Sequence, residues 1–340
     1  MPQSHFIPFA LLFLFALSAF SGLPSRKENA AHGLVLVANK GDQSLGLIDP
    51  ATGRQLATVA EGGTTGHEVI ASPDGRFAYV PIYGNSGVGK PGTDGSNLVI
   101  IDIAARKVVG NVAFDKGVRP HCPLIGPRDG LLYVTTEITN SVTVIDPRTL
   151  NVVGTIPTGQ AESHMLAITR DGRRGYTANV GPGTVSVLDL KARKTIAVIA
   201  VAPVVQRIAL SIDDRLAFTS DQTKPRLAVI DTATNKVKTW VSLPSPGYGA
   251  AATPDGRWLI IALPADNKVA AIDLKTMTVA HTFEVPPAPQ EVVIRPDGGE
   301  AYVSCDASGK VAALNLSEWK VEKLIDAGHG ADGLAWAAMK

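Results

Sequence analysis

The chain has 340 residues, with 32 Lys and Arg against 31 Asp and Glu, a net charge of +1 and no basic block. That balance argues against nucleic acid as a partner. Two cysteines, Cys122 and Cys305, are too few for a disulfide framework, and we expect two free, buried thiols.

Phe6 to Phe20 is almost wholly apolar and stops at Ser21-Gly22. Such a length is short for a membrane span and suits a secretory h-region. No Lys or Arg precedes it, yet Ala19 and Ser21 fit a small-residue cleavage site. Residues 1–21 therefore read as a signal peptide, 22–32 as a short linker and 33–340 as one domain. No later stretch is long and apolar enough to span a bilayer. The expectation is an exported monomer, periplasmic or extracellular, with no membrane span in the mature chain.

Behind the linker the sequence repeats. From Glu162 to Leu190, three β-prone runs are separated by Arg170-Asp171-Gly172-Arg173 and Gly181-Pro182-Gly183, and the third closes on Asp189. Runs of five to eight Val, Ile, Tyr and Thr residues bounded by Gly, Pro and Asp are the signature of antiparallel strands joined by turns. The first turn Asp recurs at Asp74, Asp129, Asp171, Asp213, Asp255 and Asp297, spaced by 42 from Asp129 on and by 55 before it. A second marker recurs at Asp49, Asp102, Asp146, Asp189, Asp231 and Asp273, with Asn315 in the seventh place. A fourth run follows each of these. Four short strands per roughly 40–45 residues make the blade of a β-propeller.

The inner strands start at His67, His121, His164, Gln206, Tyr248, Gln290 and Asp332. That is an all-β, seven-bladed propeller of four-stranded antiparallel blades. Only one strand fits after Asp332, so the last blade is shared: its other three strands are Leu34 to Ala38, Leu45 to Asp49 and Gln55 to Ala60. Closure of this kind leaves no free blade edge between the termini.

Ala78-Tyr79-Val80, Tyr133-Val134-Thr135-Thr136, Tyr176-Thr177-Ala178-Asn179 and Ala301-Tyr302-Val303-Ser304 resemble the Tyr-Val-Thr-Asn signature of YVTN-type β-propellers. Ser72-Pro73-Asp74-Gly75-Arg76 and Thr253-Pro254-Asp255-Gly256-Arg257 resemble the turn before it. The resemblance runs from about Gly33 to the end and implies the seven-bladed fold. Its superfamily includes binding scaffolds, lactonase-like hydrolases and cofactor-carrying domains, so it implies no single reaction.

Propeller geometry puts both Asp series on the lower face, where turn chemistry accounts for them. The upper face differs. Asp332, His67, His121 and His164 begin the inner strands of four consecutive blades at one level of the channel mouth, in a chain with only seven histidines. Tyr83, Glu137 and Asn179 end the neighbouring second strands, with Asn39 in the shared blade. Glu68 and Glu162 flank two of the histidines, His329 stands just before Asp332, and Gln206, Tyr248 and Gln290 complete the ring. Three imidazoles and a carboxylate are a ligand set for one transition-metal ion (Zn, Fe, Cu or Mn) with an open position; the alternative is that the histidines line a wet channel. His121 stands one residue further from its turn Asp than His67 and His164 do, so a bulge is expected there, or Cys122 takes the equivalent place.

Between Tyr83 and Asn97 the loop is about a dozen residues longer than Ile138-Thr139-Asn140 at the equivalent position, and Gly-rich enough to serve as a lid or binding loop above His67 and His121. Its Gly-x-Gly-Lys run lacks the spacing of a phosphate loop. No Ser sits in a nucleophile elbow. Two functions remain: an exported binding or interaction scaffold holding a small molecule or protein at the upper face, or a metal-dependent hydrolase, lyase or oxidase using the His-rich mouth.

Overall fold

The computed structural model describes residues 1–3 and 32–339. The signal segment and linker read from the sequence lie outside the described residues, apart from residues 1–3 and His32. Seven four-stranded antiparallel sheets form the seven blades. Blades 1 to 6 begin with inner strands Ile70–Ala71, Pro120–Ile125, Ser163–Ile168, Ala209–Leu210, Ala250–Ala252 and Pro289–Ile294. In blade 7 the C-terminal strand Ala331–Ala338 pairs with Gly33–Asn39, which leads to Ser44–Asp49 and Arg54–Ala60. Val35 faces Trp336 and Val37 faces Leu334 across that seam. The shared blade stands as expected.

The repeated residues have structural work. Asp74, Asp171, Asp213 and Asp255 each accept a hydroxyl from the Ser or Thr two residues before and a backbone N–H from the Arg two residues after. The next residue takes the left-handed conformation, Gly172 at φ 64° and Asp214 at φ 60°, which explains how blade 4 tolerates Asp-Asp where its neighbours have Asp-Gly. The second series accepts turn N–H groups too, as from Ala51 to Asp49 and from Ser317 to Asn315. Tyr79, Tyr133, Tyr176 and Tyr302 are buried among the apolar side chains packed between sheets. Burial of such a side chain stabilises by about 1.5–3 kcal/mol.

Blades also lock at their outer strands. A left-handed residue stands in the turn before each outer strand, Gly53 in blade 7, and in three blades its side chain lies over the preceding blade: Leu150 against Gly110, Arg193 against Gly154, and Trp319 stacked 4.1 Å from the His281 ring. Both cysteines are free and buried. Burial pushes the Cys305 thiol up to about 12 and that of Cys122 higher still. Among the described residues no helix is long and apolar enough to cross a membrane.

Closure by the last strand makes a direct prediction. Ending the chain at Gly330 exposes the edge at Gly33–Asn39 and the flank of blade 6. The truncated protein should lose its cooperative thermal transition by circular dichroism and aggregate. A native-like melt would show that the seam is dispensable.

Candidate ligand site at the channel mouth

The channel mouth is built by a repeated backbone irregularity. Pairing between inner and second strands slips between Pro120 and Pro123, between Ser163 and Met165, and between Pro289 and Val292. The same happens in blade 7, opposite Val37 and Asn39. Immediately before each of these inner strands, the chain passes through a left-handed residue: Arg119, Glu162, Ala288 and Gly330. The expected bulge at His121 is therefore present, but it is a shared device of blades 2, 3, 6 and 7. A bulge breaks the alternation of faces, so consecutive side chains turn toward the same place. Blades 1, 4 and 5 instead begin with short inner strands, and His67, Gln206 and Tyr248 precede them.

Three of the four residues proposed as ligands meet in one aromatic cluster. The His121 and His164 rings lie 3.7 Å apart centre to centre, tilted by 30°, and His67 meets His121 edge-on at 5.5 Å. Tyr83 packs among them, 4.7 Å from His67 and 5.1 Å from His121. His121 and His164 are only 1% and 2% exposed, and the Nδ1 atom of each lacks a hydrogen-bond partner. Burial lowers the pKa of all three imidazoles, that of His67 to about 4, so they are neutral at physiological pH. Gln206 reaches His164 Nε2 at 3.5 Å. Among the described residues no three His, Cys, Asp or Glu side chains already stand as a metal-holding group.

Glu137 joins this cluster to the insertion. Its Oε2 accepts the Tyr83 hydroxyl at 2.5 Å and lies 3.7 Å from His164 Nδ1. Its Oε1 accepts from Arg119 Nη1 and from the Gly89 N–H, each at 3.2 Å. Burial opposes the charge, but the nearby His164 imidazole and the bond from Tyr83 hold this carboxyl below its ordinary range. Arg119 in turn bonds Asp94 at 2.6 Å and the carbonyls of Gly87 and Lys90. The insertion is thus less loose than its glycines suggest. Phe77–Gly84 and Asp94–Asp102 extend the hairpin into it, and the tip leans over Glu137 and Glu162 in blades 2 and 3.

Asp332 belongs to a second group. Arg207, 4% exposed, reaches Glu68 and Glu291 at 2.5 Å and Asp332 at 3.4 Å, and its guanidinium lies 4.6 Å from the Tyr248 ring centre. Lys40 bonds Asp332 at 3.2 Å and Asp306 at 2.7 Å. A Cβ at residue 333 would stand 2.6 Å from Glu68 Oε2, so Gly333 leaves the room this group needs. Burial favours the uncharged carboxyl at Glu68, raised to about 8, and at Glu291; Asp332 is held low against burial by Lys40 and Arg207.

Of the other candidates, Glu68 and Tyr248 join the Arg207 group. Asn179 bonds within its own blade to Ser163, Thr184 and Ser186. Glu162 accepts the Gly181 N–H at the rim, Gln290 donates to the Ala288 carbonyl, and His329 is exposed against Asp42. Arg207, Glu291, Lys40 and Arg119 escaped the sequence reading. A signal for two of them exists: Arg207 and Glu291 follow inner-strand starts directly, as Glu68 does.

Two substitutions test this wiring. Arg207→Met leaves a cluster of carboxyl groups buried without their guanidinium, and should cost roughly 3–5 kcal/mol near pH 7 in denaturant titration. Carboxyls with raised folded-state pKa values stabilise below their unfolded value of about 4.5 and lose that contribution as pH rises. The deficit should therefore shrink toward pH 4.5 and grow toward pH 8. Glu137→Gln removes the charge that anchors the insertion. Hydrogen exchange over residues 84–96 should quicken about tenfold, as loss of a charged hydrogen bond worth about 1.5 kcal/mol implies.

The family model described as outer membrane protein assembly factor BamB matches residues 161–332. Comparison with curated proteins gives no match. Among solved structures, Kuenenia stuttgartiensis hydrazine synthase superposes with a TM-score of 0.67 at 19% identity, over 79% of this chain and 89% of that one. A functionally unknown protein from Desulfotomaculum acetoxidans DSM 771 superposes with a TM-score of 0.75 at 13% identity, over 91% and 100%. Likeness at these identities shows the fold alone. The finer YVTN-type, lactonase-like assignment is not carried by these matches. The family match spans half of the sequence, and the chain belongs to the family described as outer membrane protein assembly factor BamB.

Proposed function

We propose that this protein is an exported binding propeller that takes a small polar ligand at the upper mouth of its channel. One observation carries the reading: His121 is buried at the mouth with an unpartnered Nδ1 atom, beside a buried His164 whose Nδ1 only approaches Glu137, at 3.7 Å. Buried polar groups are nearly always hydrogen-bonded, and each one left without a partner costs about 1–3 kcal/mol. A channel plugged only for stability would be apolar there. A set of polar groups kept at such a cost makes sense when an incoming ligand supplies the missing partner. The apolar run Phe6 to Phe20 supports export to the periplasm or beyond, and a family described as an assembly factor supports binding over catalysis.

A second reading is a metal-dependent hydrolase, lyase or oxidase at the same mouth. It is favoured by Glu137, which stands beside His164 and bonds Tyr83, an arrangement able to pass a proton to or from a bound molecule. Turnover of any substrate class, lost in Glu137→Gln, would select it.

The binding reading is tested by thermal shift on the tag-free mature chain. The panel holds small carboxylates, sugars, amines and divalent metal ions, each against wild type, Tyr83→Phe and His121→Asn. At a hundred times its Kd a ligand stabilises by about 2.7 kcal/mol, a rise in Tm of roughly 5 °C. At least one class should produce that rise in wild type and lose most of it in both variants. No rise with any class, or rises equal in all three proteins, would overturn the reading.

A further inference from the structure

We propose that the ligand is, or includes, a single zinc-class divalent transition-metal ion held by His67, His121 and His164, and that it enters by parting the closely packed His121–His164 pair. This rests on the reading of the channel mouth as the ligand site. Three histidines from consecutive blades share one cluster; His121 presents an unpartnered Nδ1 in near-complete burial, and His164 keeps its Nδ1 toward Glu137 and its Nε2 toward Gln206 at the mouth. With metal–nitrogen bonds of about 2.0–2.1 Å, two imidazoles on a tetrahedral ion hold their ring centres roughly 5 Å apart. His67 and His121, at 5.5 Å, already have that separation. His121 and His164, at 3.7 Å, do not. That short distance is the one a bound ion has to widen, and the Tyr83 ring packed among the three histidines has to give way with it.

The surroundings fix the rest of the donor set. Asp332 is engaged by Lys40 and Arg207 and is not needed as a ligand. Both oxygens of Glu137 are occupied, by Tyr83, Arg119 and Gly89, so Glu137 acts from behind His164 and orients its ring. The Cys122 thiol faces the Leu166 carbonyl, 3.6 Å away. Three nitrogen donors with no thiolate suit zinc, cobalt, nickel or copper, and leave a fourth position for water or an organic ligand. Calcium and magnesium demand oxygen donors and do not fit.

The test is titration of the tag-free full chain with cobalt(II) chloride, followed by zinc(II). One equivalent of cobalt should bind saturably, with visible ligand-field absorption and no near-ultraviolet thiolate band. His67→Asn, His121→Asn and His164→Asn should each weaken binding at least tenfold, while Gln290→Ala leaves it unchanged. Should a histidine variant misfold by circular dichroism, the wild type alone decides by nitrogen-15 imidazole spectra. Zinc should then shift ring nitrogens of His67, His121 and His164 and spare His281 and His329. Absence of saturable cobalt binding, a thiolate band, or zinc shifts outside the three histidines would overturn the proposal. If metal fails while an organic compound still raises the wild-type Tm through His121, only the metal is wrong. If neither binds, the ligand-site reading falls with it.

Discussion

Everything at the channel mouth depends on one backbone pairing, that of Ala331–Ala338 with Gly33–Asn39. It closes the ring, and it delivers Asp332 from the far end of the chain to a position beside Arg207 and Lys40. The seam also presses blade 7 onto blade 1: a Cβ at Gly75 would stand 1.8 Å from the Ala338 carbonyl oxygen. Closure thus fixes the distance between His67 and the last strand. Rigid wedges around an axis allow residues remote in sequence to meet without any local ligand-spacing motif.

Such closure also makes a charged centre tolerable. Arg207 sits among Glu68, Glu291 and Asp332, four groups drawn from blades 4, 1, 6 and 7. Removing so many charges from water is unfavourable in itself, and their mutual attraction seldom repays it in full. Their retention is better explained by register: a single guanidinium ties one side of the ring to the other. The histidine cluster then occupies what remains of the mouth, with its own charge suppressed by burial. One group ties blades 1, 4, 6 and 7 together, and the other gathers the imidazoles of blades 1, 2 and 3.

The blade count, the shared blade and the meeting of the three histidines were legible in the sequence because turn chemistry forced it to repeat. Asp171 and Asp213 stand 42 residues apart for the plain reason that each caps the same turn with the same bonds. Arg207 and Glu291 were overlooked for an equally physical reason, although their places directly after inner-strand starts match that of Glu68. Strand alternation says that the neighbour of an inward residue points away, and bulges or short inner strands break that rule at this level. The insertion was misjudged in texture: its glycines suggest a loose lid, but Asp94 and the carbonyls of Gly87 and Lys90 are gathered onto Arg119. That anchor lies outside the insertion itself, so no local reading of residues 84–96 contains it.

The same contrast separates scaffold from site. Where units agree, as in the six Asp turns and the second-strand tyrosines of blades 1, 2, 3 and 6, the shared residue is explained by the fold. Where equivalent positions disagree, the fold has no stake in the choice: His67, His121, His164, Gln206, Tyr248, Gln290 and Asp332 hold one structural place with four different side chains. The unequal step between Asp74 and Asp129 belongs to the same side of the ring, since it makes room for the hairpin that reaches Glu137. Blades 1, 2 and 3 therefore carry all three imidazoles, the tyrosine and carboxylate behind them, and the insertion. A propeller needs none of these to close, and their concentration on one arc of the mouth is a departure from symmetry that stability alone does not produce.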